Sequence, residues 1–244
     1  MSAGRTLSVL VAGGSSPSGI AVARALRNAG HTVFTVGSDR ARIEAAAAEA
    51  GDGVVPLVCD LADPAAVQDL HSTLTERAGR VDGVIHLVGG WRGAKGITDQ
   101  SDEDWDFLER NAVTTLRNVS RTFFDDLAAS DAGRLAIVSS TAVASPTAGG
   151  ASYAAAKAAA EAWTLAVADG FRRGQSARKE DPEEQRSAAV IFVVKALVDA
   201  GMRAKSPERT FPGFTDIEDL AAAAVGLFTA PAAELNGRRL PLSR

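Results

Sequence analysis

Short apolar runs rich in valine and isoleucine alternate along the chain with longer stretches of helical composition. Such runs, bounded by turn residues, are typical of buried strands, whereas the longer segments are typical of helices. The predicted strands are Leu7–Ala12, Thr32–Val36, Val54–Cys59, Val84–Val88, Leu135–Val138 and Ala189–Val194. The predicted helices are Gly19–Ala29, Arg40–Ala50, Pro64–Ala78, Asp102–Ala129 and Ser152–Arg172.

The regular alternation of strand and helix determines the predicted fold. Parallel strands need crossover connections, and helical crossovers cover both faces of the sheet that they build. We therefore predict an α/β protein with a Rossmann-like, doubly wound parallel sheet in three α/β/α layers. A length of 244 residues with 46% hydrophobic content suits one core, so we predict a single domain over residues 1–244.

Two stretches interrupt this alternation. The segment Arg172–Arg186 is strongly charged and has no apolar face, so we expect an exposed charged loop. A lid or a partner-binding segment is the functional alternative. Ala200–Thr215 contains two prolines and is interpreted as a substrate-side loop before a helical segment, Asp216–Phe228. A last short strand is expected within Leu235–Leu240.

The overall charge and the cysteine content narrow the possible partners and compartments. A net charge of -4 and a pI near 5.5 argue against binding to nucleic acid or an anionic membrane, which leaves a small-molecule substrate. The single Cys59 excludes an intramolecular disulfide, and no Cys/His spacing suggests a metal site. The first apolar run is too short to span a membrane and lacks a secretory pattern. We expect a cytoplasmic protein.

A glycine-rich turn follows the first predicted strand and leads into a helix. It reads Gly-Gly-Ser-Ser-Pro-Ser-Gly-Ile over residues 13–20. Glycines let the backbone approach a pyrophosphate, and the N–H groups and dipole of the following helix stabilise its charge. A tight strand-to-helix turn needs glycine for steric reasons as well. The residues assigned to cofactor binding here are Gly13, Ser15, Ser16, Gly19 and Ile20.

The end of the second predicted strand bears on the choice between NADP(H) and NAD(H). Gly37 stands where an acidic residue would accept hydrogen bonds from the cofactor ribose. Ser38 and Arg40 follow, with Arg42 nearby, and this favours NADP(H) with Ser38 and Arg40 as ligands. NAD(H) stays open, because Asp39 could repel a phosphate and the arginines could be solvated helix residues.

Tyr153 and Lys157 are four residues apart in a predicted helix, so they lie on the same face. A lysine ammonium beside a tyrosine hydroxyl lowers the tyrosine pKa from its usual value of about 10 and suits it to proton transfer. An amphipathic helix with a snorkelling lysine is the simpler alternative. Ser140 ends the preceding strand, at the sheet edge where ligands of open α/β folds bind.

In this order, the motifs resemble the short-chain dehydrogenase/reductase family over nearly the whole chain. The resemblance implies an NAD(P)-dependent oxidoreductase that reduces a carbonyl or oxidises an alcohol of a small molecule by hydride transfer. It implies a catalytic tetrad of Asn111, Ser140, Tyr153 and Lys157, with Tyr153 as general acid/base. It also implies self-association as a homodimer or homotetramer, commonly through the helices of Asn111 and Tyr153. Further cofactor contacts are expected from Asp60, Leu61, Val88, Gly89, Tyr153, Lys157 and Val198.

The chain departs from the family pattern at three places. The glycine turn has one extra residue before Gly19, and Ala21 stands where a third glycine is usual. His86-Leu87-Val88-Gly89 occupies the place of the family's Asn-Asn-Ala-Gly. Lys195-Ala196 stands where Pro-Gly is common, which alters the expected contacts beside the nicotinamide carboxamide.

Two other functions stay open. The segments Val88–Trp91 and Met202–Ser206 resemble parts of dihydropteridine reductases, so a quinonoid pterin that stacks on Trp91 is one alternative substrate. Reduction of another double bond fits less well, because enoyl reductases of this fold usually space their Tyr and Lys more widely. The altered elements at His86 and Lys195 favour a different alternative, a regulatory protein that binds NAD(P) without turnover.

Overall fold

The computed structural model describes residues 6–242. The strands are β1 (Ser8–Ala12), β2 (Thr32–Gly37), β3 (Val54–Val58), β4 (Gly83–His86), β5 (Arg134–Ser140), β6 (Ala188–Val194), β7 (Leu197–Val198), β8 (Thr215–Asp216) and β9 (Arg239–Pro241). The α-helices are α1 (Pro17–Asn28), α2 (Arg40–Ala50), α3 (Pro64–Ala78), α4 (Asp102–Glu109), α5 (Thr115–Ala129), α6 (Ala151–Gly174), α7 (Ala200–Lys205), α8 (Ile217–Gly226) and α9 (Ala232–Leu235).

Seven strands form one parallel sheet in the order β3-β2-β1-β4-β5-β6-β9, and β7 and β8 form a separate parallel pair. The chain builds outward from β1 to β3 and then returns to place β4 on the other side of β1. This reversal is the topological switch point, where ligands bind in open α/β sheets. The predicted Rossmann-like sheet is confirmed.

Helices cover both faces of the sheet because successive strand side chains point to opposite faces. On one face, Leu10 and Ile191 pack with apolar residues of α3, α5 and α6. On the other face, Val9 and Phe192 pack with residues of α1, α2 and α8. Both faces of the central strands are therefore buried, which explains their continuous apolar sequences.

The predicted long helix over Asp102–Ala129 is helical throughout, but it is not α-helical throughout. A π-helical turn, Arg110–Thr114, separates α4 from α5. At this turn the Asn111 side chain donates to the Phe107 carbonyl at 2.7 Å. Apolar residues keep their helical spacing through the turn, so the sequence pattern did not indicate it.

The two irregular segments contain some ordered contacts. Helix α6 continues through Arg172 to Gly174, and Gln175 and Gln185 are buried and hydrogen-bonded to Ser187, while residues 177–182 are exposed. The segment 200–215 begins with the short helix α7 and then follows an exposed path. The last strand, β9, starts four residues after α9 ends at Leu235. No helix within residues 6–242 is long and apolar enough to cross a membrane.

Candidate active site

Two adjoining clefts follow the carboxyl ends of the parallel strands. The larger has a volume of about 920 Å³ and the smaller about 220 Å³, and Leu87, Val88 and Gly89 line both. Gly13 lies against this shared wall: a Cβ added there would come within 3.0 Å of the Leu87 carbonyl carbon. The end of β1 and the segment after β4 thus meet at the switch point. Val88 and Gly89, both expected to contact the cofactor, lie between the two clefts.

The glycine-rich turn is held by contacts within the turn itself. Ser16 caps α1: its hydroxyl accepts from the Gly19 N–H at 3.0 Å and donates to the Gly13 carbonyl at 2.9 Å. A Cβ on Gly19 would lie 2.5 Å from that carbonyl, so only glycine fits there. Gly13, Ser15 and Ser16 line the smaller cleft, while Gly19 lies beneath the turn and Ile20 packs with the core of that face.

The residues after β2 divide into two groups. Ser38, Asp39 and Arg42 line the smaller cleft. The Asp39 carboxylate caps α2 by accepting from the Arg42 N–H at 2.8 Å. Arg40 is absent from that lining; its guanidinium pairs with Glu44 at 3.3 Å and is largely exposed. The sequence predicted Arg40 as a ligand, whereas Arg42 and Arg110 are the arginines that line this cleft.

Asp60 and Leu61 also line the smaller cleft, as expected from the resemblance. The Asp60 carboxylate accepts from the Ala62 N–H at 3.0 Å and forms a salt bridge with Arg110 at 2.7 Å. Arg110 was not among the residues predicted for the site. It belongs to the π-helical turn, and its neighbour Asn111 lines the same cleft.

Ser140, Tyr153 and Lys157 come together in the larger cleft. Burial raises the pKa of Tyr153, and hydrogen bonding with the Ser140 side chain acts in the opposite direction. The direction is opposite to the one expected from a neighbouring lysine. Burial is the larger effect; the Lys157 ammonium lies 6.0 Å from the centre of the tyrosine ring and donates to the Val138 carbonyl at 2.8 Å.

Burial also controls Lys157, lowering its pKa to about 8, while the charge of Glu161 acts to raise it. Glu161 is itself buried, accepts from the Ser139 hydroxyl at 2.6 Å and forms a salt bridge with Arg239 at 2.8 Å. Glu161, Ser139 and Arg239 were not among the residues predicted for the site. Glu161 follows Lys157 by four residues, as Lys157 follows Tyr153, and this helical spacing could have predicted that Glu161 lies near the site.

Asn111 lines the smaller cleft, and its backbone carbonyl is linked to His86 through the Thr115 hydroxyl. The Thr115 hydroxyl donates to the Asn111 carbonyl at 2.6 Å and lies 3.1 Å from Nε2 of His86. Because the hydroxyl proton is used by the carbonyl, His86 must donate from a protonated Nε2. Burial, with the Lys157 charge second, lowers the pKa of His86 to about 3. His86 is therefore neutral near pH 7.

Val198, the last predicted cofactor contact, is fully buried in β7, and it is absent from the linings of both clefts. Its neighbours Lys195, Ala196 and Leu197 do line the larger cleft. Within residues 6–242 no group of three His, Cys, Asp or Glu side chains is placed to hold a metal ion.

Comparison with solved structures supports the fold over nearly the whole chain. A short-chain oxidoreductase from Pseudomonas aeruginosa PAO1, described as containing an atypical catalytic center, aligns with a TM-score of 0.83 and 18% identity over 97% of this chain and 95% of that one. A short-chain dehydrogenase from Shigella flexneri 2a, complexed with NADP, aligns with a TM-score of 0.81 and 21% identity over 97% and 96%.

Sequence comparison identifies relatives and the family. The NADP-dependent 3-hydroxy acid dehydrogenase YdfG of Salmonella typhi is 27% identical over 157 residues, 64% of this chain. The match spans 63% of the length of that relative. A probable NADP-dependent dehydrogenase of Haemophilus influenzae is 26% identical over 63% of this chain and 61% of its own length. The short chain dehydrogenase family model matches residues 8–175, more than half of the chain. The chain belongs to the short-chain dehydrogenase family.

Proposed function

We propose that this protein is an NAD(P)-dependent oxidoreductase that reduces the carbonyl of a small molecule or oxidises the corresponding alcohol. The observation that carries this proposal is the joint presence of Ser140, Tyr153 and Lys157 in the larger cleft. That cleft adjoins the glycine-rich turn through Val88 and Gly89. The relatives with matching sequences are themselves named as dehydrogenases.

The two clefts suit a dinucleotide cofactor. Glycine at positions 13 and 19 lets the turn pack closely against the Leu87 backbone and against itself, and the turn leads directly into the start of α1. When bound, the nicotinamide group would supply or accept the hydride. The residues that would hold the cofactor are Gly13, Ser15, Ser16, Ser38, Arg42, Asp60, Leu61, Val88, Gly89 and Lys157.

The side chains of the larger cleft would donate a proton to the substrate and then replace it. Since the pKa of Tyr153 is raised, its hydroxyl keeps its proton near neutral pH and can donate it to a carbonyl oxygen. The Ser140 hydroxyl would hydrogen-bond the same oxygen and orient it. Lys157 is an ammonium below a pH of about 8, so it would favour the tyrosinate that forms in the reaction. Asn111 would support resupply of the proton through Lys157, as its resemblance to the family residue implies.

NADP(H) is the preferred cofactor in this proposal. Gly37 has no side chain, so position 37 supplies no carboxylate that could accept hydrogen bonds from a ribose hydroxyl. Asp39 is engaged as the cap of α2, and Arg42 faces the cleft with a positive charge. Arginine suits a phosphate better than a ribose hydroxyl. The curated relatives are named as NADP-dependent.

We also propose that the protein self-associates through α5 and α6. Phe124 and Trp163 line a shallow, mostly apolar depression between these helices, together with Ala166 and Val167 of α6. Covering apolar surface of this kind drives association. Light scattering on the purified protein should give the mass of a dimer or tetramer, and a monomeric mass would contradict this part of the proposal. A cytoplasmic location stays a prediction.

Cofactor titration followed by a substrate panel tests the proposed function. The quenching of protein fluorescence would be measured with NADPH and NADH, and oxidation of each cofactor would be followed with ketones, aldehydes, quinones and a quinonoid dihydropterin. Tighter NADPH binding with turnover of a ketone or aldehyde is the expected result. Turnover of the pterin alone would favour a pterin reductase in which the exposed Trp91 of the larger cleft contacts the ring. Cofactor binding without any turnover would favour the regulatory alternative.

A further inference from the structure

Lys195 occupies the strand end next to the candidate catalytic serine. In the pairing of β5 with β6, Ser140 lies opposite Val194, so Lys195 is the first residue beyond that pair. Both Ser140 and Lys195 line the larger cleft. This is the position at which the family commonly has proline, and proline carries no charge. The cleft of this chain therefore has a cationic side chain that the family pattern does not supply.

The charged side chains that line the larger cleft are all positive. Two lysines, Lys157 and Lys195, line it, and its described lining contains no aspartate or glutamate. Lys157 is buried, with Glu161 one turn away on the same helix. Lys195 is exposed, and its ammonium donates to the Pro212 carbonyl at 3.1 Å. Within residues 6–242 it forms no salt bridge, so two of its three donor hydrogens are available to a ligand.

Aromatic residues of the neighbouring loop contact Lys195 and also Arg209, which does not line the larger cleft. The Lys195 ammonium lies 5.9 Å from the centre of the Phe214 ring, and the Arg209 guanidinium lies 5.9 Å from the same centre. Arg209 also lies 5.0 Å from the Phe211 ring. These cation–π contacts hold the side chains over aromatic faces without neutralising them. Arg203, by contrast, is paired with Asp216 at 3.4 Å.

We propose that Lys195 recognises an anionic group of the substrate, so that the preferred substrate is a carbonyl compound carrying a carboxylate or a phosphate. The proposal rests on the proposed function and names the substrate class of that same site. An oxyanion would accept charge-assisted hydrogen bonds from Lys195 while its carbonyl oxygen faces Ser140 and Tyr153. Two other roles would also require a lysine: anchoring the loop through Pro212, and contacting a phosphate of the cofactor.

Pairs of substrates with and without an anionic group test the proposal. One pair is acetoacetate and methyl acetoacetate, and the other is dihydroxyacetone phosphate and dihydroxyacetone; the two pairs separate carboxylate from phosphate. A wider panel of keto acids and their methyl esters extends the first pair. The wild type should favour the charged member of at least one pair in kcat/KM. Turnover of neutral ketones with no preference for any charged member would overturn the proposal while leaving the proposed function intact. Absence of turnover with every compound would count against both.

Three variants assign the preference to the Lys195 charge. Lys195→Met keeps an apolar stem over Phe214 and should raise KM for the charged substrate by about tenfold or more, with little change for the neutral one. Lys195→Arg should retain the preference. Lys179→Met removes an exposed lysine outside the cleft and should change neither constant. Equal losses for charged and neutral substrates in Lys195→Met would indicate loop anchoring, and weaker NADPH binding with an unchanged preference would indicate a cofactor contact. Either result would overturn the proposal.

Discussion

Glu161 lies one helical turn after Lys157, and the two side chains are buried together beneath the candidate active site. The carboxylate is held by Ser139 and Arg239, at 2.6 Å and 2.8 Å, so its negative charge is fixed close to the lysine. Its charge raises the pKa of Lys157 against the larger lowering effect of burial, and the result is a pKa of about 8. The charge of Glu161 thus favours the protonated form of Lys157.

Glu161→Gln tests this relationship, because it removes the charge and keeps an oxygen that can accept from Ser139. The pKa of Lys157 should fall below its value of about 8, so activity should begin to decline at a lower pH than in the wild type. The measurement is kcat/KM against pH. Glu234→Gln, at an exposed position of α9, is the control. An alkaline limb that stays at the same pH in Glu161→Gln would contradict the assigned role.

The lowered pKa of Lys157 predicts a pH dependence of stability. Between a pH of about 8 and 10.5, the unfolded lysine still holds a proton that the folded lysine has released. The free energy of unfolding of the wild type should therefore rise with pH relative to Lys157→Met, at a slope of at most about 1.4 kcal/mol per pH unit. Denaturant titrations of both proteins give this difference, with Lys179→Met as the surface control. A difference that is constant over this range would show that the lysine pKa is not lowered.

His86 should remain neutral wherever the protein is folded near neutral pH. Its pKa of about 3 results mainly from burial, and its Nε2–H is committed to Thr115. The ring signals of His86 in NMR spectra, assigned by their loss in His86→Asn, should not shift between about pH 5 and 8. In denaturant the same ring should titrate near its ordinary value of about 6.5. Titration near that value in the folded protein would show that the ring is not enclosed as described.

Substitution of Arg42, with substitution of Arg40 as the matched control, tests how the protein selects between NADPH and NADH. Of these two arginines, Arg42 lines the smaller cleft, whereas Arg40 pairs with Glu44 on the exposed side of α2. Arg42→Ala should weaken NADPH binding by about tenfold or more and leave NADH binding nearly unchanged, since only NADPH has the additional phosphate. Arg40→Ala should affect neither. Fluorescence titration of the three proteins gives the constants, and equal losses for both cofactors in Arg42→Ala would argue against a 2′-phosphate contact.

The sequence was sufficient for the fold because valine-rich strands and helices alternate regularly and parallel strands require crossovers. The sequence also predicted that Ser140, Tyr153 and Lys157 lie at the same edge of the sheet, because strand ends and helical spacing follow simple geometry. The contacts that determine the pKa values and the ligand contacts of these side chains could not be predicted from the sequence. The pattern of apolar positions does not indicate the π-helical turn at Asn111. Whether the Asp39 carboxylate caps α2 depends on backbone geometry, which the sequence does not show. Arg239 reaches Glu161 across 78 positions of sequence, which no local pattern indicates.

The central claim is that Tyr153 transfers the proton in an NAD(P)-dependent reaction. The most direct test is single-turnover reduction of the best carbonyl substrate by wild type and Tyr153→Phe, each first shown by fluorescence titration to bind NADPH. Phenylalanine keeps the half-buried ring and removes the hydroxyl that hydrogen-bonds with Ser140. We predict that NADPH binding changes little while the rate falls by about a hundredfold or more. Turnover at the wild-type rate in Tyr153→Phe would contradict the account.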